Sequence, residues 1–457
     1  MSMTIRIMLA LAAALLFALG EPPRLYWAAT FAGLVLLLCA LRDLSPRFAF
    51  WIATATGTLI CGLSVPWFRT IFSGATPFAL FVVFGLFYGL FAAGSAFIAP
   101  RFVSPWPRAF WISSSWVAVE FYRCEWFALR FPWVTPGVAL GPTWLTPLVG
   151  VYGQSFIAVL TAAYFCERKT RNAGIVLAVA LMLLVSLRPP PVAPLKPLRV
   201  ALVQFEDEDF DTQFALTRAA TNSPQLVVWP EGAIFGGLWY DHKGPFSKLS
   251  ANAKASNVVF TIGCRTEFGN GERDWFNTAL TFDGTGVLGE HHKNRPVHLF
   301  NDGKPGTNAV AIATPLGKIG TPICFDCDFT EITRRMARDG AEFFAVPARD
   351  AAQWGPLQRV QHAQFFRLRA AECGRWFAVA MSSGITQIID PHGNTRAALP
   401  PFQPGVLCGE IGREHSQTFY IAYGWLLPWL LTAIAIIGGI VAVIFPILGN
   451  SRRANFQ

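Results

Sequence analysis

Two kinds of residue pattern divide this chain of 457 residues. Long apolar runs fill the first 187 residues and return near the end, whereas the middle holds most of the Asp, Glu, Lys and Asn. Runs of this length with few charges are typical of transmembrane helices. Seven spans are predicted before the polar middle and one after it: residues 5–19, 26–41, 48–67, 77–98, 110–122, 145–165 and 173–187, then 425–448. We therefore predict a multi-pass membrane domain over residues 1–187 and a C-terminal transmembrane helix over 425–448.

The polar middle alternates short β-prone runs with helical patterns. Strands are predicted at 198–204, 225–229, 258–264, 277–283, 286–290, 318–323, 342–346, 376–381, 385–390 and 405–409, and helices at 247–255, 329–339 and 356–373. Strands alternating with helices predict a layered α/β domain, which we place at residues 198–413. Residues 188–197, reading RPPPVAPLKP, are a stiff Pro-rich linker between the two domains.

The basic residues of the short loops predict an orientation. With the N-terminus in the cytoplasm, the segments on that side hold ten Arg and Lys residues, and the opposite loops hold four. An excess of this kind marks cytoplasmic loops. Because seven spans precede it, the α/β domain is predicted to lie outside the cytoplasm, facing the periplasm of a bacterial inner membrane.

Two aromatic segments are candidates for contact with lipid. Residues 123–144 mix Trp and Phe with Pro and Gly, so they cannot form one straight helix. Such segments lie in the membrane interface, and we predict lipid contact for Trp126 and Trp133; a plain connecting loop is the alternative. In the α/β domain, residues 234–239 contain Gly236, Gly237 and Trp239, which predicts a mobile flap with Trp239 on acyl chains, unless these aromatics only pack the core.

Composition and charge narrow the classes of function. The net charge of +9 is compatible with nucleic-acid binding. Many of the basic residues, however, flank apolar spans, where they orient membrane helices, so no nucleic-acid partner is predicted. The nine cysteines show no paired spacing typical of zinc. His291, His292 and His298 have no carboxylate at ligand spacing. We therefore predict neither a metal nor a cofactor.

The strongest chemical signal is Cys324, within the stretch GKIGTPICFDCDFTE. It lies where a β-prone run meets a helical pattern, and a thiol on such a turn can face a cleft and act as a nucleophile. The alternative is that Cys324 is a small buried hydrophobe, as most free cysteines are.

Two upstream residues support a catalytic role for Cys324. Glu231 directly follows a predicted strand, where open α/β sheets place their sites, and could act as a general base. Lys293 follows the predicted hairpin and could stabilise an oxyanion. Taken alone, Glu231 is better explained as the cap of a turn, and Lys293 as part of a solvated loop. Together with Cys324 they supply a base, an oxyanion stabiliser and a nucleophile.

The order Glu, Lys, Cys resembles the nitrilase, or carbon–nitrogen hydrolase, superfamily. With the membrane spans, the chain resembles the bacterial apolipoprotein N-acyltransferase family in particular, on the stretches VVWPEGAIF, FNTALTFDGTGVLGEHHK and GKIGTPICFDCDFTEITRRMARDGAEFF. The resemblance implies a four-layer αββα sandwich, with Glu231 as base, Lys293 as oxyanion stabiliser and Cys324 as nucleophile. It implies an acidic supporting residue at Asp326 and another at Asn301 or Asp302.

The same resemblance implies a ping-pong reaction. The thiolate takes an acyl chain from a phospholipid as a thioester, which then acylates the amine of a lipoprotein's N-terminal diacylglyceryl-cysteine. Two other readings remain open: a membrane-tethered amidase or an acyltransferase with another amine acceptor, and a degenerate paralogue with a binding or scaffold role. A monomer is predicted.

Overall fold

The computed structural model of the protein describes residues 1–21, 27–207, 209–221, 223–234, 245–267 and 274–454. Two units share the chain. A helical unit comprises Met1–Leu145, Val149–Arg188 and Tyr423–Gln457, and an α/β unit comprises Thr146–Leu148 and Pro189–Ala422.

Helices follow the apolar runs of the sequence. The first nine are α1 (Met3–Gly20), α2 (Trp27–Leu41), α3 (Pro46–Ser64), α4 (Phe68–Ile71), α5 (Thr76–Ile98), α6 (Pro105–Phe121), α7 (Pro136–Leu140), α8 (Thr146–Cys166) and α9 (Arg171–Ser186), and α15 (Leu427–Ala454) closes the chain. Each of the eight predicted spans therefore coincides with a helix. Within the described ranges, four helical stretches are long and apolar enough to cross a membrane: Met3–Gly20, Thr76–Arg101, Thr146–Cys166 and Gly424–Ile444. The count of eight spans stays a prediction.

The segment after α6 bends as its Pro and Gly content predicts. A π-helical turn (Tyr122–Trp126) ends α6, and the buried Arg123 side chain donates to the carbonyls of Phe131 at 2.9 Å and Trp133 at 3.1 Å. A buried cation costs less when backbone carbonyls satisfy its donors. Arg123 therefore fixes the fold of the segment that precedes α7.

The three aromatic residues predicted to contact lipid differ in their surroundings. Trp126 is 56% exposed and lies edge-on to Trp429. Trp133 is buried, stacked on Phe131 and edge-on to Trp67, so its ring is not available to a lipid and the expectation for it is corrected. Trp239 lies outside the described residues, so its part in a flap stays a prediction.

The α/β unit contains twelve strands and five helices among its described residues. The strands are β1 (Leu198–Gln204), β2 (Leu226–Val228), β3 (Val259–Glu267), β4 (Trp275–Asp283), β5 (Gly286–His292), β6 (Ile312–Thr314), β7 (Gly317–Gly320), β8 (Phe343–Ala348), β9 (Trp376–Met381), β10 (Gln387–Ile389), β11 (Thr395–Ala398) and β12 (Gly405–Ile411). The helices are α10 (Phe210–Arg218), α11 (Pro245–Ser256), α12 (Thr330–Arg338), α13 (Pro356–Cys373) and α14 (Phe419–Ala422).

The strands form two six-stranded sheets, ordered β12-β1-β2-β3-β4-β5 and β11-β10-β9-β8-β7-β6. Apolar residues of both sheets share one buried cluster, which includes Leu202 and Val228 of the first and Ala345 and Ala378 of the second. The outer faces are covered by helices, the first sheet by α11 and the second by α12 and α13. Removal of this apolar surface from water is the main stabilising term. The predicted four-layer αββα sandwich is therefore confirmed.

The main departures from the predicted elements are short. The run predicted as one strand at 318–323 ends at Gly320, because Pro322 has no N–H to donate to a neighbouring strand. Helix α10 and strands β6 and β11 were not predicted, and β6 and β11 have only three and four residues. The early end of β7 leaves Thr321–Ile323 free of the sheet and delivers Cys324 to a turn.

Candidate active site

The Glu231 backbone is held between the two sheets. It follows β2, and its N–H donates to the carbonyl of Ala348 on β8 at 3.3 Å. Gly263 of β3 lies against it so closely that a Cβ there would come within 2.4 Å of the Glu231 Cα. The absence of a side chain at Gly263 therefore lets Glu231 approach β3. This places the buried Glu231 carboxylate beyond the C-terminal end of β2.

Lys293 lies directly after β5 and is 1% exposed. Its N–H donates to the Asn277 carbonyl at 2.8 Å, and its Nζ lies 2.6 Å from Glu231 Oε1 and 2.7 Å from Asp302 Oδ2. Burial acts to lower the pKa of Lys293, but the charges of Asp302 and Glu231 outweigh it and raise that pKa well above its usual value. The side chain is therefore an ammonium at neutral pH, held between two carboxylates.

Asn277 of β4 is a site residue that sequence reasoning missed. Its Nδ2 donates to Glu231 Oε1 at 2.6 Å and to Asp302 Oδ1 at 2.7 Å. It thus fixes both carboxylates around Lys293. Asn277 lies near the start of β4, opposite the end of the hairpin that carries Lys293. The sequence could have indicated it only through this position, because an Asn within a strand forms no recognisable motif.

Cys324 opens a 3₁₀ turn (Cys324–Asp328) beyond β7, with a φ of +46°. A non-glycine residue with positive φ is uncommon and is found at constrained functional positions. Its thiol is 4% exposed and its Sγ lies 3.5 Å from the carbonyl of Arg349. The tight turn therefore aims the sulfur at the end of β8.

The electrostatics of the thiol explain why a base is needed. Burial raises the pKa of Cys324 well above its usual value, the negative charge of Glu231 adds to this, and Lys293 opposes it. At neutral pH the resting group is therefore a thiol, and its proton must leave as the sulfur attacks. The structure brings Glu231, Lys293 and Cys324 into one site; their catalytic roles stay predictions.

Asp326 contacts backbone and His291. One oxygen accepts from the N–H groups of Asn294 and Arg295 at 3.0 and 2.8 Å, and the other accepts from the Ile323 N–H at 3.1 Å and lies 2.9 Å from His291 Nε2. Asp326 therefore links the Cys324 turn to the loop that follows Lys293. The supporting role predicted for it is consistent with these contacts.

Asn301 and Asp302 were two candidates for one supporting position. Asn301 is exposed, whereas Asp302 contacts Lys293 and Asn277 and also accepts from the N–H of Val297 at 2.8 Å. The structure therefore favours Asp302 over Asn301.

Another buried cation, His362, contacts a carboxylate of the Cys324 turn and was not predicted. His362 of α13 places Nδ1 2.8 Å from Asp350 Oδ1 and Nε2 3.3 Å from Asp328 Oδ1. Burial acts to lower the pKa of His362, but Asp350 and Asp328 outweigh it and raise the pKa to about 10. The imidazole is therefore charged at neutral pH. The sequence gives no motif for it, because a helical pattern with one His is ordinary.

Comparisons with known proteins cover both units. Residues 13–164 match the family model described as apolipoprotein N-acyltransferase N-terminal domain, and residues 199–420 match the carbon-nitrogen hydrolase model. A relative named apolipoprotein N-acyltransferase from Pseudomonas paraeruginosa is 28% identical, covering 93% of this chain and 95% of its own length. A relative of the same name from Geobacter metallireducens is 26% identical, covering 87% of each.

Solved structures match over about half the chain. Nit3 of Saccharomyces cerevisiae, a member of the nitrilase superfamily, is 23% identical with a TM-score of 0.39, covering 48% of this chain and 93% of its own. An amidase from Nesterenkonia sp. is 20% identical with a TM-score of 0.39, covering 50% and 92%.

Proposed function

The chain belongs to the apolipoprotein N-acyltransferase family of carbon–nitrogen hydrolases, and we propose that it transfers an acyl chain from a phospholipid to the N-terminal amine of a diacylglyceryl-cysteine lipoprotein. The observation that carries this is one buried cluster. Lys293 Nζ lies 2.6 Å from Glu231 Oε1, and both charges act on the Cys324 thiol. A base, a cation and a thiol at one site are what acyl transfer through a thioester requires.

In the first half-reaction, Glu231 takes the thiol proton as Cys324 Sγ attacks the ester carbonyl of the phospholipid. The carbonyl oxygen becomes an oxyanion, and the Lys293 ammonium stabilises that charge in a site that excludes water. The carbon–oxygen bond to glycerol then breaks, and Glu231 returns its proton to the departing alkoxide. The products are a thioester on Cys324 and a lysophospholipid.

In the second half-reaction, the amine of the lipoprotein attacks the thioester carbonyl. Glu231 removes a proton from the attacking nitrogen, and Lys293 again stabilises the oxyanion. The carbon–sulfur bond breaks, the sulfur recovers a proton from Glu231, and an amide is formed. Cys324 and Glu231 thereby return to their starting protonation states.

Asp302 and Asn277 support the base and the cation through direct contacts. Asp302 supplies Lys293 with a second carboxylate, and Asn277 donates to both Glu231 and Asp302. Glu231 loses its negative charge when it takes up a proton, and without Asp302 the buried ammonium of Lys293 would then be unpaired. Asp302 therefore keeps Lys293 paired with a carboxylate while Glu231 is protonated.

The decisive experiment follows the acyl group to its acceptor. Purified full-length protein is given a phospholipid with an isotopically labelled acyl chain and a diacylglyceryl-cysteine peptide. Label on the peptide amine supports the proposal. Label found only as free fatty acid would instead indicate a hydrolase, and label on an unrelated amine in preference to the peptide would indicate another acceptor.

The chain is an inner-membrane protein. We propose that it is a monomer and that its α/β unit faces the periplasm. The orientation is supported by the ten basic residues on the predicted cytoplasmic side against four in the opposite short loops, with seven predicted spans before the α/β unit. A reporter that is active only outside the cytoplasm should work when fused after Arg413. Activity there of a reporter that works only inside the cytoplasm would overturn this orientation.

A further inference from the structure

His362 joins two segments that flank the thiol. Asp328 ends the 3₁₀ turn that begins at Cys324, and Asp350 follows Arg349, whose carbonyl accepts from the Cys324 sulfur at 3.5 Å. The side chains of His362, Asp328 and Asp350 are all buried. The imidazole therefore spans from the far end of the thiol's own turn to the segment that the thiol touches.

We propose that His362 is a positioning residue for the reaction: as a cation between Asp328 and Asp350, it holds the Cys324 turn against the Arg349 carbonyl and offsets the negative charge of Asp350 near the thiol. This role rests on the proposed function, because it is defined by the nucleophile that the acyl transfer uses. His362 contacts neither substrate nor reacting atoms in this account.

The charges around the two groups support the second half of the role. The thiol is influenced by Glu231, Lys293 and Asp350, and the negative charge of Asp350 raises its pKa. Against Asp350 lie the imidazolium of His362 and the positive charge of Arg359, whose own Nη2 donates to the Ala351 carbonyl at 2.7 Å. Removing the imidazolium leaves more of the Asp350 charge uncompensated, so the thiolate becomes harder to form.

The contacts of Asp350 also show why Arg359 does not replace His362. Asp350 Oδ1 accepts from Gln358 Nε2 at 2.8 Å and lies 2.8 Å from His362 Nδ1. Arg359 donates instead to backbone carbonyls and to Ser383. On the other side, the His362 ring packs on Phe366, with centroids 4.8 Å apart. The imidazolium is thus the cation in direct contact with that carboxylate oxygen.

The test measures the thiol directly. Full-length protein in detergent is alkylated with iodoacetamide over a range of pH, and the rate at Cys324 is read by mass spectrometry of its peptide. His362→Gln should slow alkylation of Cys324 about tenfold near neutral pH and move its midpoint to higher pH, since one unit of pKa changes the thiolate fraction tenfold. The control is His415→Gln, which changes an exposed histidine of the same unit.

A second change separates charge from architecture. Asp350→Asn should lower the pH midpoint of Cys324 alkylation, and adding it to His362→Gln should restore part of the lost rate because the uncompensated carboxylate is gone. A purely structural His362 would give a double variant that is slower than either single variant. That result, or equal rates for the wild type and His362→Gln, would overturn the proposal. If His362→Gln does not fold, the Asp350→Asn midpoint decides alone: an unchanged or higher midpoint overturns the proposal.

The readout also keeps the two proposals apart. Alkylation needs neither phospholipid nor lipoprotein, so the His362 effect is measurable even if acyl transfer fails. If wild-type protein forms no thioester but the alkylation shifts appear, the proposed function fails and the positioning of the thiol by His362 stands. If wild-type and His362→Gln form the thioester and react with iodoacetamide at equal rates, the reverse holds.

Discussion

Two of the buried cations in the α/β unit, Lys293 and His362, each lie between two carboxylates, but those carboxylates lie in different parts of the site. Lys293 lies between Glu231 and Asp302, and His362 lies between Asp328 and Asp350. The partners of Lys293 include the candidate base, and in the proposed reaction this pair acts on the reacting atoms. The partners of His362 lie on the two segments that flank Cys324, so that group acts on where the thiol is held. A buried cation must be paired wherever it lies; its use depends on what its partners touch.

The largest effect is expected from removing the first cation. Lys293→Met would leave Glu231 and Asp302 buried without their ammonium, which costs on the order of 3–5 kcal/mol for a broken buried pair. It would also remove the oxyanion stabiliser, so no thioester should form. Thermal unfolding in detergent and the thioester assay measure the two effects. Lys304→Met is the control, because Lys304 is half-exposed and its pair with Asp274 should contribute under about 1 kcal/mol. A Lys293→Met protein as stable as the control would contradict the pairing.

Changing the base should separate activity from stability. Glu231→Gln keeps the shape of the side chain, and Lys293 keeps Asp302 as a partner. Thioester formation should fall by roughly 10²–10⁴-fold, the usual contribution of a positioned base, while the thermal midpoint changes far less than in Lys293→Met. Glu410→Gln on β12 is the exposed control. Normal thioester formation by Glu231→Gln would show that another group takes the proton.

The support around Lys293 gives a smaller effect that discriminates between two neighbouring residues. Asp302→Asn removes a charge that contacts Lys293, with an expected loss of about 1.5–3 kcal/mol in stability, as for a hydrogen bond to a charged group. Asn301→Ala should be close to wild type because Asn301 is exposed. Unfolding of the two variants side by side measures the difference. Equal losses would mean that the contact between Asp302 and Lys293 contributes nothing to stability.

The two cations should also differ in their dependence on pH. The folded pKa of His362 is raised to about 10, above its ordinary value of 6.5, so its stabilisation is fully present below that ordinary value and is lost as the pH rises through about 10. The pKa of Lys293 is raised above an already high value, so its stabilisation persists across the same window. Thermal midpoints from pH 6 to 10 should therefore fall more in wild type than in His362→Gln. Parallel curves would show that His362 does not titrate there.

The sequence predicted the first cluster far better than the second. Glu231, Lys293 and Cys324 each follow a strand-like run. Their residue types and their order along the chain indicate the chemistry from the sequence alone. Asp302 could be narrowed only to one of two residues, because a loop has no period that tells which side chain turns inward. Asn277 and His362 lie within ordinary strand and helix patterns, and their roles arise only when β4 meets the loop after β5 and when α13 packs on the Cys324 turn.

The fold shows the same division between local and long-range information. Periodicity predicted most strands and three of the five described helices of the α/β unit, because burial of one face imposes a repeat on the sequence. Strands β6 and β11 are too short to show one. Trp133 shows the limit for the helical unit: an aromatic-rich segment predicts an interface, but packing against Phe131 and Trp67 decides which rings are buried.

The central claim is that Cys324 carries the acyl group, and mass spectrometry of the protein after exposure to phospholipid tests it most directly. The peptide that holds Cys324 also holds Cys327, which is fully buried and three residues further along. Fragmentation should place one acyl mass on Cys324, labile to hydroxylamine as a thioester is, and Cys324→Ser should carry none. An acyl mass on Cys327 with Cys324 unmodified, or an adduct that persists in Cys324→Ser, would contradict the account.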